Sequence, residues 1–204
     1  FGMANLLTVG YLPDVGTTDG STRGTSAYSQ YSLNHRFLLE DNLRLSDRTR
    51  LITSLQYHES QRDKRILSGS GNSYDLSFSQ WLPRIGVVHD FASNAQFFAN
   101  LSRVFEPPIF DAASNMLATH AQTGNSIEAG MRGEAALSGG RDRLTYDVTL
   151  YRANLRNEFL TVCDSCFNGW SITTNVPRSF HQGIELGVSG LFDRQWEMRG
   201  MALY

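Results

Sequence analysis

Two cysteines and five histidines are the residues of this 204-residue chain whose types could support metal or redox chemistry. Cys163-Asp164-Ser165-Cys166 has the CxxC spacing of zinc and thiol-redox sites, but it stands alone and no histidine follows before His181. If the chain folds in an oxidising compartment, a loop disulfide between Cys163 and Cys166 is the default; a metal site and free thiols are the alternatives. Such a bridge stiffens a loop and performs no chemistry. His35, His58, His89, His120 and His181 share no metal-ligand spacing, and only His120, in a long connection, is a candidate ligand contact. His58-Glu59 does not open the helical HExxH pattern, because Arg62 occupies its last position. No Ser/His/Asp order, glycine-rich phosphate loop or carboxylate pair stands out. The expectation is no catalytic residue, no metal and no cofactor. Arginine is the better binding group, since guanidinium takes carboxylates with bidentate geometry. Arg103, Arg156 and Arg178 are the candidates, each close to one end of an alternating segment. Their competing role is to pair with acids in a charged interior.

The elements that carry these residues alternate with period two, and helical periodicity is hard to find. Ile127, Ala129, Met131, Gly133, Ala135 and Leu137 are interleaved with Glu128, Gly130, Arg132, Glu134 and Ala136. Leu144, Tyr146, Val148 and Leu150 oppose Thr145, Asp147 and Thr149, and Ile184, Leu186, Val188 and Phe192 oppose Glu185, Gly187 and Ser189. About nine such segments lie near 3–12, 34–45, 49–61, 81–92, 95–106, 124–138, 142–158, 179–192 and 195–204. A membrane band ~25 Å tall, crossed at ~40° tilt and ~3.3 Å per residue, needs about ten residues per strand. Strands of soluble sandwiches are typically ~5–6 residues long. Slipping 127–137 by one position would turn Glu128, Arg132 and Glu134 toward lipid, where an arginine costs ~2–4 kcal/mol. The pattern is imperfect in places: Asp41 falls on the otherwise apolar face of Phe37, Leu39, Leu43 and Leu45.

The connections sort into two kinds. Ser46-Asp47-Arg48, Ser93-Asn94, Gly139-Gly140-Arg141 and Asp193-Arg194 are tight polar turns. Between them come long polar connections near 13–33, 62–80, 107–123 and 159–178. Membrane β-barrels alternate short and long connections in this way, and a soluble meander has no reason to. Composition agrees: 19% charged residues, 41% hydrophobic residues and a mean hydropathy of −0.30 suit a chain that alternates between lipid and water. No window approaches the ~18 apolar residues of a membrane helix. A net charge of −2, with no basic run longer than Arg62-Asp63-Lys64-Arg65, argues against a nucleic-acid partner. The expected fold is therefore all-β, an antiparallel transmembrane β-barrel. Nine strands cannot close an even-stranded barrel, so residues 1–204 read as one part of a larger closed sheet.

Pro83-Arg84-Ile85-Gly86-Val87-Val88-His89-Asp90-Phe91, followed by Gln96-Phe97-Phe98-Ala99-Asn100-Leu101-Ser102-Arg103-Val104-Phe105-Glu106-Pro107-Pro108, resembles the mid-barrel strands of TonB-dependent outer-membrane receptors. Glu128-Ala129-Gly130-Met131-Arg132-Gly133, the stretch 150–160, and Thr173-Thr174-Asn175-Val176 leading to His181-Gln182-Gly183-Ile184-Glu185-Leu186 extend the likeness in the same order. It is similar to the ferric-siderophore and ferric-citrate branch. The resemblance implies a barrel of about 22 strands, with an N-terminal plug and a TonB box that this sequence lacks. It further implies residence in the bacterial outer membrane among its lipids. Import of a ferric siderophore or similar scarce nutrient would be energised by the TonB-ExbB-ExbD complex through the missing N-terminal region. Because ferric chelates are often anionic, Arg103, Arg156, Arg178 and His120 become candidate ligand contacts. Trp81, Phe105, Trp170 and Trp196 are expected in interfacial girdles, Pro107 and Pro108 to end a strand, and Gly183 and Gly187 to relieve crowding. A passive porin and a soluble β-rich carbohydrate-binding protein or enzyme are the rival readings.

Overall fold

A computed structural model describes every residue except 1–5, 23–25, 70–72, 109–114, 117–119, 138–141, 166–169 and 194. The described residues form β1 (Leu6–Thr22), β2 (Ser26–Ser46), β3 (Thr49–Ser68), β4 (Tyr74–Ala92), β5 (Ala95–Glu106), the two-residue β6 (Asn115–Met116), β7 (Gln122–Leu137), β8 (Asp142–Ser165), β9 (Trp170–Phe192) and β10 (Trp196–Leu203). Nine of them pair antiparallel in the order β1-β2-β3-β4-β5-β7-β8-β9-β10, and β6 adds a parallel bridge to β9. Each strand pairs with its neighbour in sequence because tight turns leave no other partner in reach. Among the described residues β1 does not pair with β10, so the sheet is open within this chain.

Cross-strand register assigns every side chain to one of two faces. The row Thr53, Ile85, Leu101 and Ile127 lies on one face, as do the rows Leu51, Val87, Ala99, Ala129, Leu150, Ile184 and His89, Phe97, Met131, Val148, Leu186. This face is apolar and exposed: Leu101 and Leu150 keep more than half of their surface. The opposite face holds the buried polar groups Asn34, His58, Ser60 and Arg62. Buried hydrophobic residues are limited to Tyr28, Val88, Ala95 and Leu155 among the described residues. In water this distribution would be strongly unfavourable, since ~25 cal/mol is lost for each Å² of apolar surface left exposed. Surrounded by lipid, it is the stable arrangement, and it overturns the soluble-sandwich alternative. Hereafter the apolar face is called outward and the polar face inward.

The tight turns sit at one end and are tied together across hairpins. Arg44 Nη2 pairs with Asp47 Oδ1 at 2.9 Å, and Asp90 N donates to the Arg48 carbonyl at 2.7 Å. Glu134 N donates to the Asn94 carbonyl at 2.8 Å, and Asn94 Nδ2 donates to the Glu134 carbonyl at 2.6 Å. Asp193 reaches a left-handed φ of 50° to close the β9–β10 turn, and its N–H donates to Asp142 Oδ1 at 2.7 Å. The Gly139-Gly140-Arg141 turn lies outside the described residues.

At the other end the structure departs from the expected long loops. The ladders continue to Thr22↔Ser26, Lys64↔Tyr74 and Ser165↔Trp170. Most of 13–33, 62–80 and 159–178 is therefore strand. The ladder is made by backbone groups, so it needs no apolar face. Once both faces are wet, the alternation that marks a strand in sequence is gone. Only the β5–β7 connection remains long, and β6 lies within it.

Candidate functional site

Two clusters of basic side chains stand beyond the apolar band, one on each face of the sheet. The inward cluster begins at the pairing of β2 with β3, which sets Asn34 opposite Ser60 and Arg36 opposite His58. Ser60 Oγ donates to Asn34 Oδ1 at 2.8 Å, and Arg62 Nη1 donates to the same oxygen at 3.1 Å. Arg62 Nε donates to the Pro108 carbonyl at 3.3 Å, and Arg62 is only 8% exposed. One guanidinium thus fastens the β5–β6 connection onto β3. Phe105 follows the same path and meets the His58 ring edge-on at 5.1 Å between centroids. This corrects the girdle role expected of Phe105. β5 pairs with β4 only as far as Arg84↔Ser102, so its last residues are free to bend over the inward face. Glu106-Pro107-Pro108 ends the strand as expected, and both prolines are buried. Trp81, more than half exposed beside Tyr57, and Trp196 keep positions suited to an outer girdle; the Trp170 side chain lies outside the described residues.

The outward cluster is built by β5, β7, β8 and β9. Just past the apolar row that ends at Leu150 and Ile184, Arg152 stands opposite Ile127 and Gln182. The next rung joins Arg103, Asn125, Asn154 and Phe180, and the next joins Phe105, Thr123, Arg156 and Arg178. Arg103, Arg156, Arg178 and Phe180 line one cleft of about 600 Å³. Arg152 Cζ lies 5.6 Å from the centre of the exposed Phe180 ring. Among the described residues none of the four arginines is in an ion pair. Carboxylates of the same stretch are engaged elsewhere: Gln122 Nε2 donates to Glu106 at 3.4 Å, and Glu158 Oε1 lies 2.8 Å from His181 Nε2. Asn157, at a left-handed φ of 55°, turns the β8 chain between Arg156 and Glu158.

The structure therefore brings together three of the four nominated contacts, Arg103, Arg156 and Arg178, in one cleft at the outer end of the sheet. Sequence reasoning missed Arg152, although it shares their parity along β8. His120 stands apart from them. Its N–H donates to Asn175 Oδ1 at 3.2 Å and its carbonyl accepts from Asn175 Nδ2 at 3.0 Å, which holds exposed His120 beside β9. Cys166 lies outside the described residues, and the expected Cys163–Cys166 bridge with it. Among the described residues no group of His, Cys, Asp and Glu is placed to hold a metal ion.

At the turn end, a cleft of about 830 Å³ is lined by Asp90, Gln96, Arg132, Asp147 and Arg199 on the inward face. Arg132 Nε donates to Gln96 Oε1 at 3.1 Å, with its guanidinium 5.6 Å from the Phe98 ring. Mixed charge on this face is what a hydrated or protein-filled interior tolerates and hydrocarbon does not.

Residues 2–204 match the family described as TonB dependent receptor-like, beta-barrel. No curated protein matches the chain. Among solved structures, the chain is similar to the alcaligin outer-membrane receptor FauA from Bordetella pertussis. The TM-score is 0.68 at 16% identity, over 100% of this chain and 36% of that one. It is similar also to the ferric-catecholate import receptor Fiu from Escherichia coli K12, with a TM-score of 0.64 at 14% identity over 98% and 35%. The copper transporter OprC gives 0.66 at 13% identity over 99% and 38%. At these identities the likeness is one of fold. The chain spans about a third of the length of the solved chains it matches.

Proposed function

Because this chain belongs to the TonB-dependent receptor-like β-barrel family, and so forms part of an outer-membrane transport receptor rather than an enzyme, we propose that the whole protein imports a ferric siderophore. The observation that carries this reading is the inverted wall: apolar residues outward, charged and hydrogen-bonded residues inward. It supports a transmembrane sheet enclosing a polar interior. The similar structures include an alcaligin receptor and a ferric-catecholate import receptor, and these support an iron chelate as cargo. A copper transporter of similar fold supports a choice of cargo made by groups other than the wall itself. Cargo is chosen by groups at the outer end of the interior, and we assign His120 to that set. Arg103, Arg156 and Arg178 line a cleft of their own beside β9.

Energy enters through the TonB-ExbB-ExbD complex in this proposal, by way of a plug outside residues 1–204. The test is radio-iron uptake from ferric siderophores by iron-starved cells with and without the gene, each with and without a protonophore. Gene-dependent uptake that falls at least tenfold on collapse of the proton gradient is expected. Uptake insensitive to the protonophore would instead make the protein a passive pore. Absence of any gene-dependent iron uptake would remove the ferric siderophore as cargo.

A further inference from the structure

The outer part of the β8–β9 hairpin joins the wall through one broken rung. On its wall side Arg156 pairs with Arg178, and on its outer side Glu158 pairs with Val176, but Asn157 and Pro177 between them do not pair. Both members contribute to the break. Proline has no N–H to give the ladder, and Asn157 holds a left-handed φ of 55°, outside the range of a strand. Beyond this rung the ladder resumes from Glu158↔Val176 to Ser165↔Trp170. The segments 158–165 and 170–176 therefore form an arm that can turn about the 157/177 rung without breaking a ladder pair.

Uncharged hydrogen bonds tie the arm to its neighbours. Phe159 N donates to Gln122 Oε1 at 3.2 Å, and Asn175 Nδ2 donates to the Asn157 carbonyl at 2.8 Å. Asn175 also holds both backbone groups of His120, so that residue moves with the arm. Among the described residues one ion pair crosses the broken rung: Glu158 Oε1 of the arm lies 2.8 Å from His181 Nε2 of the wall. His181 is half-exposed and so exchanges protons with the surrounding water. Imidazole is charged at mildly acid pH and neutral at mildly alkaline pH. Neutral, it keeps only a hydrogen bond to Glu158; protonated, it adds an attraction between charges. The other titratable groups around His181 stand further off. Glu128 and Tyr151 share its face two rungs nearer the turn end, and Glu185 is four residues along β9. On β10 the nearest is Tyr204, beside Ile184. Glu106 of β5 is engaged by Gln122, and Arg156 and Arg178 flank the broken rung without an ion pair to Glu158.

We propose that this arm is a pH-responsive flap, clasped to the wall by Glu158 and His181 in acid and released to turn about Asn157 and Pro177 as the medium becomes alkaline. The sign follows from the pair: its charge attraction is present while His181 is protonated and is lost as pH rises through the imidazole range. An ion pair of this exposure changes such an equilibrium by about two- to fivefold. Turning the arm carries His120 with it and resets the outer end of the interior. The proposal rests on the outer-membrane placement of the wall and is independent of which nutrient is imported.

The experiment uses the intact receptor purified in dodecyl maltoside, with nitroxide amino acids in place of Leu160 on the arm and Ile127 on the wall, both exposed. Electron–electron double resonance then gives the distance between them at pH ~5.5 and pH ~8, on either side of the imidazole titration. Two distance populations are expected, their ratio changing by about two- to fivefold between the two conditions. H181Q and E158Q are each expected to abolish that change. H181K, charged throughout, is expected to hold the acid population at both pH values. One unchanged distance distribution in the otherwise wild-type receptor overturns the proposal, and this comparison needs no further variant to fold. A full pH response in H181Q, with its heat-modifiable mobility intact, overturns it in favour of another titrating group, His120 first. Release of H181K at pH ~8 to the wild-type extent overturns it as well.

Discussion

Single side chains at the outer end decide how the connections are held. Arg62 bonds Asn34, the Gln61 carbonyl and the Pro108 carbonyl at once, from a nearly closed environment. Hydrogen bonds from a charged donor are worth about 1.5–3 kcal/mol each. Arg62→Ala is therefore expected to loosen the β5–β7 connection before it unfolds the sheet. Limited proteolysis should show faster cleavage within 107–121, while heat-modifiable migration of the barrel persists. Unchanged cleavage would mean that Phe105 and the prolines hold the connection without Arg62. Gly130 offers a second residue-scale test, since an added Cβ would lie 2.6 Å from Phe98 Cζ. Gly130→Ala must displace the Val148 backbone carbonyl oxygen of β8 as well as push Phe98 off Arg132, and is expected to cost about 3 kcal/mol or more, read as an earlier urea midpoint. Neither feature could be found in sequence: Arg62 looked like one member of a solvated charge run. What the sequence did contain was the identity of three of the four outward arginines. Their shared parity along β5, β8 and β9 is legible there too.

Strand phase is the element-scale property that sequence revealed best. The odd residues of β7 and the even residues of β8 and β9 were legible as one face because hydrocarbon permits no charge there. The turn-end limits of β3, β4 and β5 were legible too, from Ser46-Asp47-Arg48 and Ser93-Asn94. Their outer limits were not, because a ladder in water on both faces carries no alternation. Asp41 is the exception within the band: it stands opposite Thr53 and keeps intermediate exposure, so its row is not uniformly apolar. Phase also makes a paired prediction. Met131→Arg, on the outward face, is expected to cost about 2–4 kcal/mol when the protein folds into lipid vesicles. Glu128→Arg, three residues away on the inward face, is expected to cost well under half as much. Denaturant titrations of both variants in vesicles check this, and equal penalties would contradict the assignment of faces.

At the scale of the molecule, the outermost strands set the final constraint. β1 pairs only with β2, and β10 only with β9, among the described residues. Each therefore presents a row of N–H and C=O groups with no ladder partner. In water such groups are hydrated, but in hydrocarbon each one costs several kcal/mol. The band-level part of β1, from Leu6 to Leu12, and β10 together make that total larger than any folding free energy a domain of this size commands. Strands from elsewhere must complete the wall, in keeping with its coverage of about a third of the solved receptors. Residues 1–204 produced alone and mixed with lipid vesicles are accordingly expected to form mixed oligomers or precipitate. Protease should digest them, and no monomeric heat-modifiable band should form. The same residues within the intact receptor should resist protease and migrate as one heat-modifiable species. A monodisperse, protease-resistant monomer from the 204-residue chain would mean that β1 and β10 can close on one another. The plugged-receptor reading would then give way to a small barrel with too narrow a lumen for a chelate.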